Sequence, residues 1–124
     1  MVTTVKVAAA QIRPVLFSLD ESLQKVLDAM AEAAAQGVEL IVFPETFLPY
    51  YPYFSFVEPP VRMGRAHLAL YDQAVVVPGP VTDAVAAAAR QHGMQVLLGV
   101  NERDGGTLYN LSLIHISEPT RHES

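Results

Sequence analysis

Apolar and polar positions follow one another along the chain in blocks that predict alternating strands and helices. Residues 5–12 form a short apolar run that Pro14 closes, as expected for a β-strand. A capping box opens at Ser18, and apolar residues then recur every three or four positions. This pattern predicts an amphipathic helix over residues 19–36 that ends at Gly37.

The next apolar block, residues 38–43, is nearly continuous and is closed by Pro44, which predicts a strand covered on both faces in a parallel sheet. Further elements predicted in chain order are an aromatic loop over 46–60, a helix over 61–71, a strand over 74–77, a helix over 83–92 capped by Thr82, a strand over 95–100, a turn at 104–106 and an edge strand over 111–116. The alternation of strands and helices indicates an α/β layer structure with right-handed crossovers.

Composition narrows the class of protein further. The 124 residues suffice for one domain at most, and 51% hydrophobic content excludes a disordered chain. A net charge of −5 disfavours a nucleic-acid partner, because the surfaces that bind nucleic acids are normally basic. The sequence has no apolar run near the roughly 18–20 residues of a membrane span and no signal-peptide pattern at its start, so we expect a cytoplasmic protein without a membrane partner.

Two observations limit the possible chemistry. The chain contains no cysteine, which excludes a disulfide, a cysteine-ligated zinc ion and a thiol nucleophile supplied by these residues. The four histidines lack metal-ligand spacing, so we expect no metal site.

Glu45 is the candidate catalytic residue. It follows the predicted buried strand directly, at the carboxyl end where open α/β sheets bind their ligands. Pro44 fixes the backbone before it. This placement suits a general base, whereas the alternative interpretation is a surface carboxylate that caps a turn or pairs with an arginine.

The aromatic loop after Glu45 is the candidate substrate pocket. Tyr51, Tyr53 and Phe54 could line a mostly apolar cavity for a small ligand, or they could form a hydrophobic plug or a subunit contact. The polar residues 101–104 follow a predicted strand and could reach a site, although a solvated turn is the favoured interpretation for them.

Residues 37–52 (GVELIVFPETFLPYYP) resemble the first signature of nitrilases, the nitrile-hydrolysing branch of the carbon-nitrogen hydrolase superfamily. The flanking segments VKVAAAQIRPVLF and AVVVPGPVTDAVAAAARQHGMQVLLGVNERDGGTLYN are also similar to nitrilases, so the resemblance covers residues 5–110. Tyr50 departs from it, because many members have glycine there. The resemblance implies the N-terminal part of a four-layer α-β-β-α sandwich, a homo-oligomer in the full-length protein, and no metal or organic cofactor.

The resemblance also implies a chemistry: hydrolysis of a small-molecule nitrile to a carboxylic acid and ammonia by a glutamate, a lysine and a cysteine. Glu45 would be the general base that takes the thiol proton, and the reaction would pass through a thioimidate and an acyl-enzyme. Lys6 and Lys25 do not match the motif of the catalytic lysine, and the cysteine is absent. We therefore predict that the longer protein is a nitrilase and that this chain alone is inactive. The alternatives are an amidase or carbamoylase of the same superfamily, and a truncated non-catalytic subunit or binding module.

Residues 111–124 differ in character from the rest of the chain. The string LSLIHISEPTR looks like the translation of a transposase adapter used in DNA sequencing libraries. We therefore predict a partial hydrolase domain over residues 5–110 and a non-native tail over residues 111–124.

Overall fold

The computed structural model describes residues 3–56, 59 and 61–115, without the side chains of Phe54 and Ser55. Its elements in chain order are β1 (Val7–Ala9), α1 (Leu19–Ala35), β2 (Leu40–Val42), a 3₁₀ turn (Tyr53–Phe56), α2 (Gly64–Gln73), α3 (Pro80–His92), β3 (Gln95–Asp104) and β4 (Thr107–His115). No helix within these ranges is long and apolar enough to cross a membrane.

The four strands form one mixed sheet in the order β1-β2-β3-β4. Strand β2 lies between β1 and β3 and is parallel to both, as predicted for an apolar run of this kind. Strand β4 returns antiparallel to β3 after a two-residue turn, Gly105–Gly106. The α/β fold class is thereby confirmed.

The hydrophobic core lies between one face of this sheet and the helices α1 and α3. Alternate residues of β3 face the helices because successive side chains of a strand point to opposite faces. The buried core residues of these elements are Val26, Met30 and Ala33 of α1, Ile41 of β2, Val81, Val85 and Ala89 of α3, and Val96, Leu98 and Val100 of β3. Leu97, Gly99 and Asn101 of β3 therefore lie on the opposite face, together with their β4 partners Ile114, Ser112 and Asn110.

The capping box predicted at the start of α1 forms only in part, because the Ser18 amide donates to the Val15 carbonyl at 3.2 Å rather than to the Glu21 side chain. The other predicted features of the two caps are present. The Ser18 side chain accepts a hydrogen bond from the Glu21 amide at 3.2 Å, and Gly37 has a φ of 79°. Helix α3, by contrast, begins at Pro80 rather than at the predicted Asp83. Proline suits the first helical position because the missing N–H would have no helical partner there. Thr82 consequently lies inside the helix, where its hydroxyl accepts from the Gly79 amide at 2.9 Å.

Two interpretations of the second half were wrong. The strand predicted over residues 74–77 is only an isolated bridge between Val75 and Glu102. Residues 101–104 are not a solvated turn, because they continue β3 to Asp104 and Asn101 is buried. The predicted edge strand over 111–116 lies within β4 as far as His115, and residue 116 lies outside the described residues.

Candidate active site

Glu45 lies in a short bulge between β2 and a second contact with β3. The Phe43 amide donates to the Leu97 carbonyl at 2.9 Å, where regular pairing with β3 ends. The chain rejoins β3 at Leu48, whose amide donates to Gly99 at 3.2 Å and whose carbonyl accepts from Asn101 at 2.7 Å. Residues 44–47, hereafter the Glu45 bulge, are therefore fixed to one strand at both ends.

Gly99 makes room for the Glu45 bulge. A Cβ atom at this position would lie 2.6 Å from the Pro44 carbonyl oxygen, 2.6 Å from the Thr46 amide nitrogen and 3.0 Å from the Glu45 carbonyl carbon. Real Cβ atoms do not approach backbone atoms this closely, so the bulge can lie against β3 only where the strand has no side chain. Sequence analysis missed Gly99, although a glycine inside a buried strand signals a close backbone approach.

Thr46 turns the chain directly after Glu45. Its φ of 42° is unusual for a β-branched residue and stores strain of about 1–3 kcal/mol. The residue is 1% exposed, and its hydroxyl has no hydrogen-bond partner among the described residues. Strain of this kind persists only where the surrounding structure fixes the backbone, as the two contacts with β3 do here.

Asn110 of β4 contacts the Glu45 carboxylate. Its side-chain Nδ2 donates a hydrogen bond to Oε2 of Glu45 at 2.7 Å. Asn110 is paired in register with Asn101 of β3, whose Nδ2 donates to the Tyr50 carbonyl at 3.0 Å. The two asparagines thus connect the β3–β4 pair to the segment that carries Glu45, a role that sequence analysis did not predict.

A cavity of about 400 Å³ opens beside the Glu45 bulge. Glu45, Tyr51 and Tyr53 all line it, so the structure brings these three predicted site residues together. The Phe54 side chain lies outside the described residues. Arg13 brings a positive charge to the wall of the cavity, and the Tyr51 and Tyr53 rings lie 4.8 Å apart.

Tyr50 supports the same cavity from a buried position. It is 3% exposed, its ring contacts Phe17 edge-on at 5.6 Å, and its hydroxyl has no partner among the described residues. Burial raises the pKa of Tyr50, so the phenol stays protonated at neutral pH.

Neither lysine contacts Glu45. Lys25 Nζ donates to the Arg13 carbonyl at 2.7 Å, and Lys6 Nζ donates to the Gln36 carbonyl. In the described ranges, no three histidine or acidic side chains lie close enough together to hold a metal ion. Among the described residues, the site combines the Glu45 carboxylate, its asparagine donor, the Arg13 cation and an aromatic wall.

The fold and the site together define an α/β protein with a carboxylate at the carboxyl end of a central parallel strand. Residues 6–119 match the family model of carbon-nitrogen hydrolases, and the chain belongs to this family. It is 60% identical over 110 residues to a nitrilase from Paraburkholderia phymatum, a match that covers 89% of this chain and 32% of the relative. It is 52% identical over 118 residues to a protein named nitrilase 3 from an unknown prokaryotic organism, covering 94% and 36%.

A solved structure shows the same fold at low sequence identity. An amidase from Nesterenkonia sp. superposes with a TM-score of 0.60 at 18% identity, covering 89% of this chain and 37% of the amidase. This likeness bears on the fold alone, and it confirms the carbon-nitrogen hydrolase type. The chain spans about a third of the length of the curated relatives that it matches.

Proposed function

We propose that the complete protein is a nitrilase that hydrolyses a small-molecule nitrile to a carboxylic acid and ammonia. The observation that carries the proposal is the Glu45 bulge, which holds a carboxylate beside an aromatic cavity at the end of β2. The two relatives at 60% and 52% identity, both named as nitrilases, support the same reaction.

In the proposed mechanism, Glu45 acts as the general base. Its carboxylate takes the proton of a cysteine thiol, because the thiolate is the effective nucleophile. The thiolate attacks the nitrile carbon, and the nitrile nitrogen gains a proton to give a thioimidate. Water adds to this carbon, ammonia leaves, and a second water hydrolyses the thioester to the acid and the free thiol. A lysine cation stabilises the charge that develops on the substrate nitrogen.

The rest of the domain must supply two of these groups. The 124 residues contain no cysteine, and both lysines bind backbone carbonyls away from Glu45. We therefore propose that this chain alone is catalytically inactive, and that Tyr51, Tyr53 and Phe54 contribute one wall of the pocket.

A hybrid domain tests the reaction. In it, residues 6–110 of this chain replace the matching segment of the Paraburkholderia phymatum nitrilase, and the relative supplies the remainder. We expect the purified hybrid domain to release ammonia and acid from aliphatic or aromatic nitriles, and the 124-residue chain to release none. The measurement is ammonia production with acid identified by mass spectrometry.

The corresponding amides are the discriminating substrates. The alternative function, an amidase or carbamoylase, uses the same three groups, and a hybrid domain that hydrolysed only amides or carbamoyl compounds would establish it. Nitrile hydrolysis by the 124-residue chain, lost on Glu45→Ala, would contradict the proposed inactivity. A hybrid domain that folds and hydrolyses neither class would favour the non-catalytic module.

We further propose that residues 111–124 do not belong to the natural protein. Their likeness to a translated adapter supports this proposal. Pairing of β4 as far as His115 is compatible with either origin, because a strand needs only apolar residues at its inward positions, and Leu111 and Leu113 meet that need.

Resequencing the source DNA across codon 110, without transposase adapters, tests this proposal. We expect the reading frame to continue into a segment that supplies a lysine and a cysteine motif. A frame that reads through the present residues to Ser124 would contradict it and would leave this chain without a nucleophile.

We also propose that the complete protein is a cytoplasmic homo-oligomer that acts in nitrile metabolism and has no nucleic-acid or membrane partner. The net charge of −5 supports the exclusion of nucleic acid. Exposed apolar side chains such as Val7, Leu68 and Ile114 support burial against further protein.

A further inference from the structure

Asn110 lies where it can control which way the Glu45 carboxylate points. The hydrogen bond from Nδ2 to Oε2 of Glu45 is 2.7 Å long and joins residues 65 positions apart. A donor to an ionised carboxylate forms a short, charge-assisted bond of this kind. Among the described residues, no hydrogen bond to Oε1 of Glu45 accompanies this one, so that oxygen can accept a proton from another partner.

The backbones on both sides of this bond are fixed independently of it. Asn110 pairs with Asn101 in the β3–β4 ladder, and three further residue pairs within residues 6–110 continue the ladder from there to the turn. The Glu45 bulge is fixed through Leu97, Gly99 and Leu48. Because both side chains are exposed, the bond gains little from exclusion of water, and its geometry depends on these two fixed backbones.

We infer that Asn110 is a positioning residue for the general base. This inference rests on the proposed function, and it assigns the two carboxylate oxygens different tasks. Oε2 accepts from Asn110, while Oε1 takes the proton when the S–H bond of the attacking cysteine breaks. After the transfer, Oε2 is a carbonyl-type oxygen that still accepts from the amide. The contact therefore holds the carboxyl group in one orientation throughout the proton cycle.

Two variants of the hybrid domain test the inference, with the melting temperature checked to show that each is folded. Asn110→Leu removes both amide groups at similar volume, and we expect kcat to fall roughly 10–100-fold with KM changed less than about threefold. Asn110→Asp keeps the shape but places a carboxylate against Glu45. At neutral pH the two charges repel, whereas at lower pH a shared proton restores a hydrogen bond between them.

The activity of Asn110→Asp relative to the unsubstituted hybrid domain should therefore rise as the pH falls, while the deficit of Asn110→Leu stays constant. A residue that served only to pack the strand would not produce this difference. Tyr109→Phe is the matched control, because it removes a polar group from the adjacent position of β4 on the other face of the sheet. We expect its kcat to stay within about twofold. Equal activity of all variants would overturn the inference, and so would parallel pH profiles for the Asn110→Leu and Asn110→Asp variants.

A second measurement decides the matter if the unsubstituted hybrid domain proves inactive, an outcome that would count against the proposed function instead. The Asn110 side-chain amide protons, observed by ¹⁵N-edited NMR, should shift with pH and stop shifting in Glu45→Gln. If the Asn110 resonances behaved the same with and without the Glu45→Gln substitution, the contact would be absent and the positioning role would be overturned.

Discussion

Glu45→Gln in the hybrid domain should lower kcat for nitrile hydrolysis about 1,000-fold, which corresponds to roughly 4 kcal/mol of transition-state stabilisation. Glutamine has nearly the same shape, and its carbonyl oxygen can still accept from Asn110. It has no carboxylate to take the thiol proton, so the cysteine stays a poor nucleophile at neutral pH. Steady-state kinetics with a single nitrile, followed by ammonia release, measures the change.

The matched control for this substitution is Glu32→Gln, which removes the same charge from an exposed position on α1. Helix α1 packs on the opposite face of the sheet from Asn110, so we expect full activity from this variant. A loss of less than tenfold for Glu45→Gln, with the fold intact, would show that Glu45 is not the base. An equal loss for both variants would attribute the effect to net charge.

Gly99→Ala should displace the Glu45 bulge and so remove activity through a change in a residue that does not line the cavity. The added Cβ would lie 2.6 Å from two backbone atoms of the bulge, neither of which can rotate away as a flexible side chain would. Either β3 or residues 44–47 must move. The backbone hydrogen bonds that join Leu48 to Gly99 and to Asn101 would then weaken. We expect the hybrid domain to lose about 2–3 kcal/mol of stability, or roughly 5–10 °C in melting temperature.

The loss of activity should exceed what partial unfolding alone would cause. At a temperature where the Gly99→Ala variant is fully folded, we expect kcat to fall at least about 100-fold, because a displacement near 1 Å misplaces the base. Gly106→Ala is the matched control, since a Cβ at this turn position meets nothing within 4 Å. It should change stability by less than about 0.5 kcal/mol and leave kcat unchanged. Equal behaviour of the two alanine variants would contradict the steric role of Gly99.

The elements that depend on short-range pattern were predictable from the sequence. Helix α1 followed from its apolar spacing and the caps at Ser18 and Gly37, and β2 followed from an apolar run closed by Pro44. The errors fell where a distant segment decides the outcome. Residues 74–77 have strand-like composition but meet β3 only at Val75, and residues 101–104 have turn-like composition but pair with β4.

The candidate site divides in the same way. Glu45, Tyr51 and Tyr53 could be named from the sequence because they follow a recognisable strand and resemble a family signature. The residues that hold Glu45 in place could not be identified from the sequence. Gly99 acts through the absence of a side chain, and Asn110 lies 65 positions away from Glu45 in the sequence. Neither feature leaves a periodic trace in the residues around it.

The sequence by itself determined the α/β class, the position of the carboxylate at the end of β2 and the lack of a cysteine within these residues. Each of these properties is local, because it depends on hydrophobic periodicity, on the Pro44–Glu45 junction or on composition. Only the tertiary structure decided how the carboxylate is held. Backbone contacts at Gly99 and the ladder between β3 and β4 exist only once the strands are paired, so the orientation of Glu45 is a property of the packed sheet.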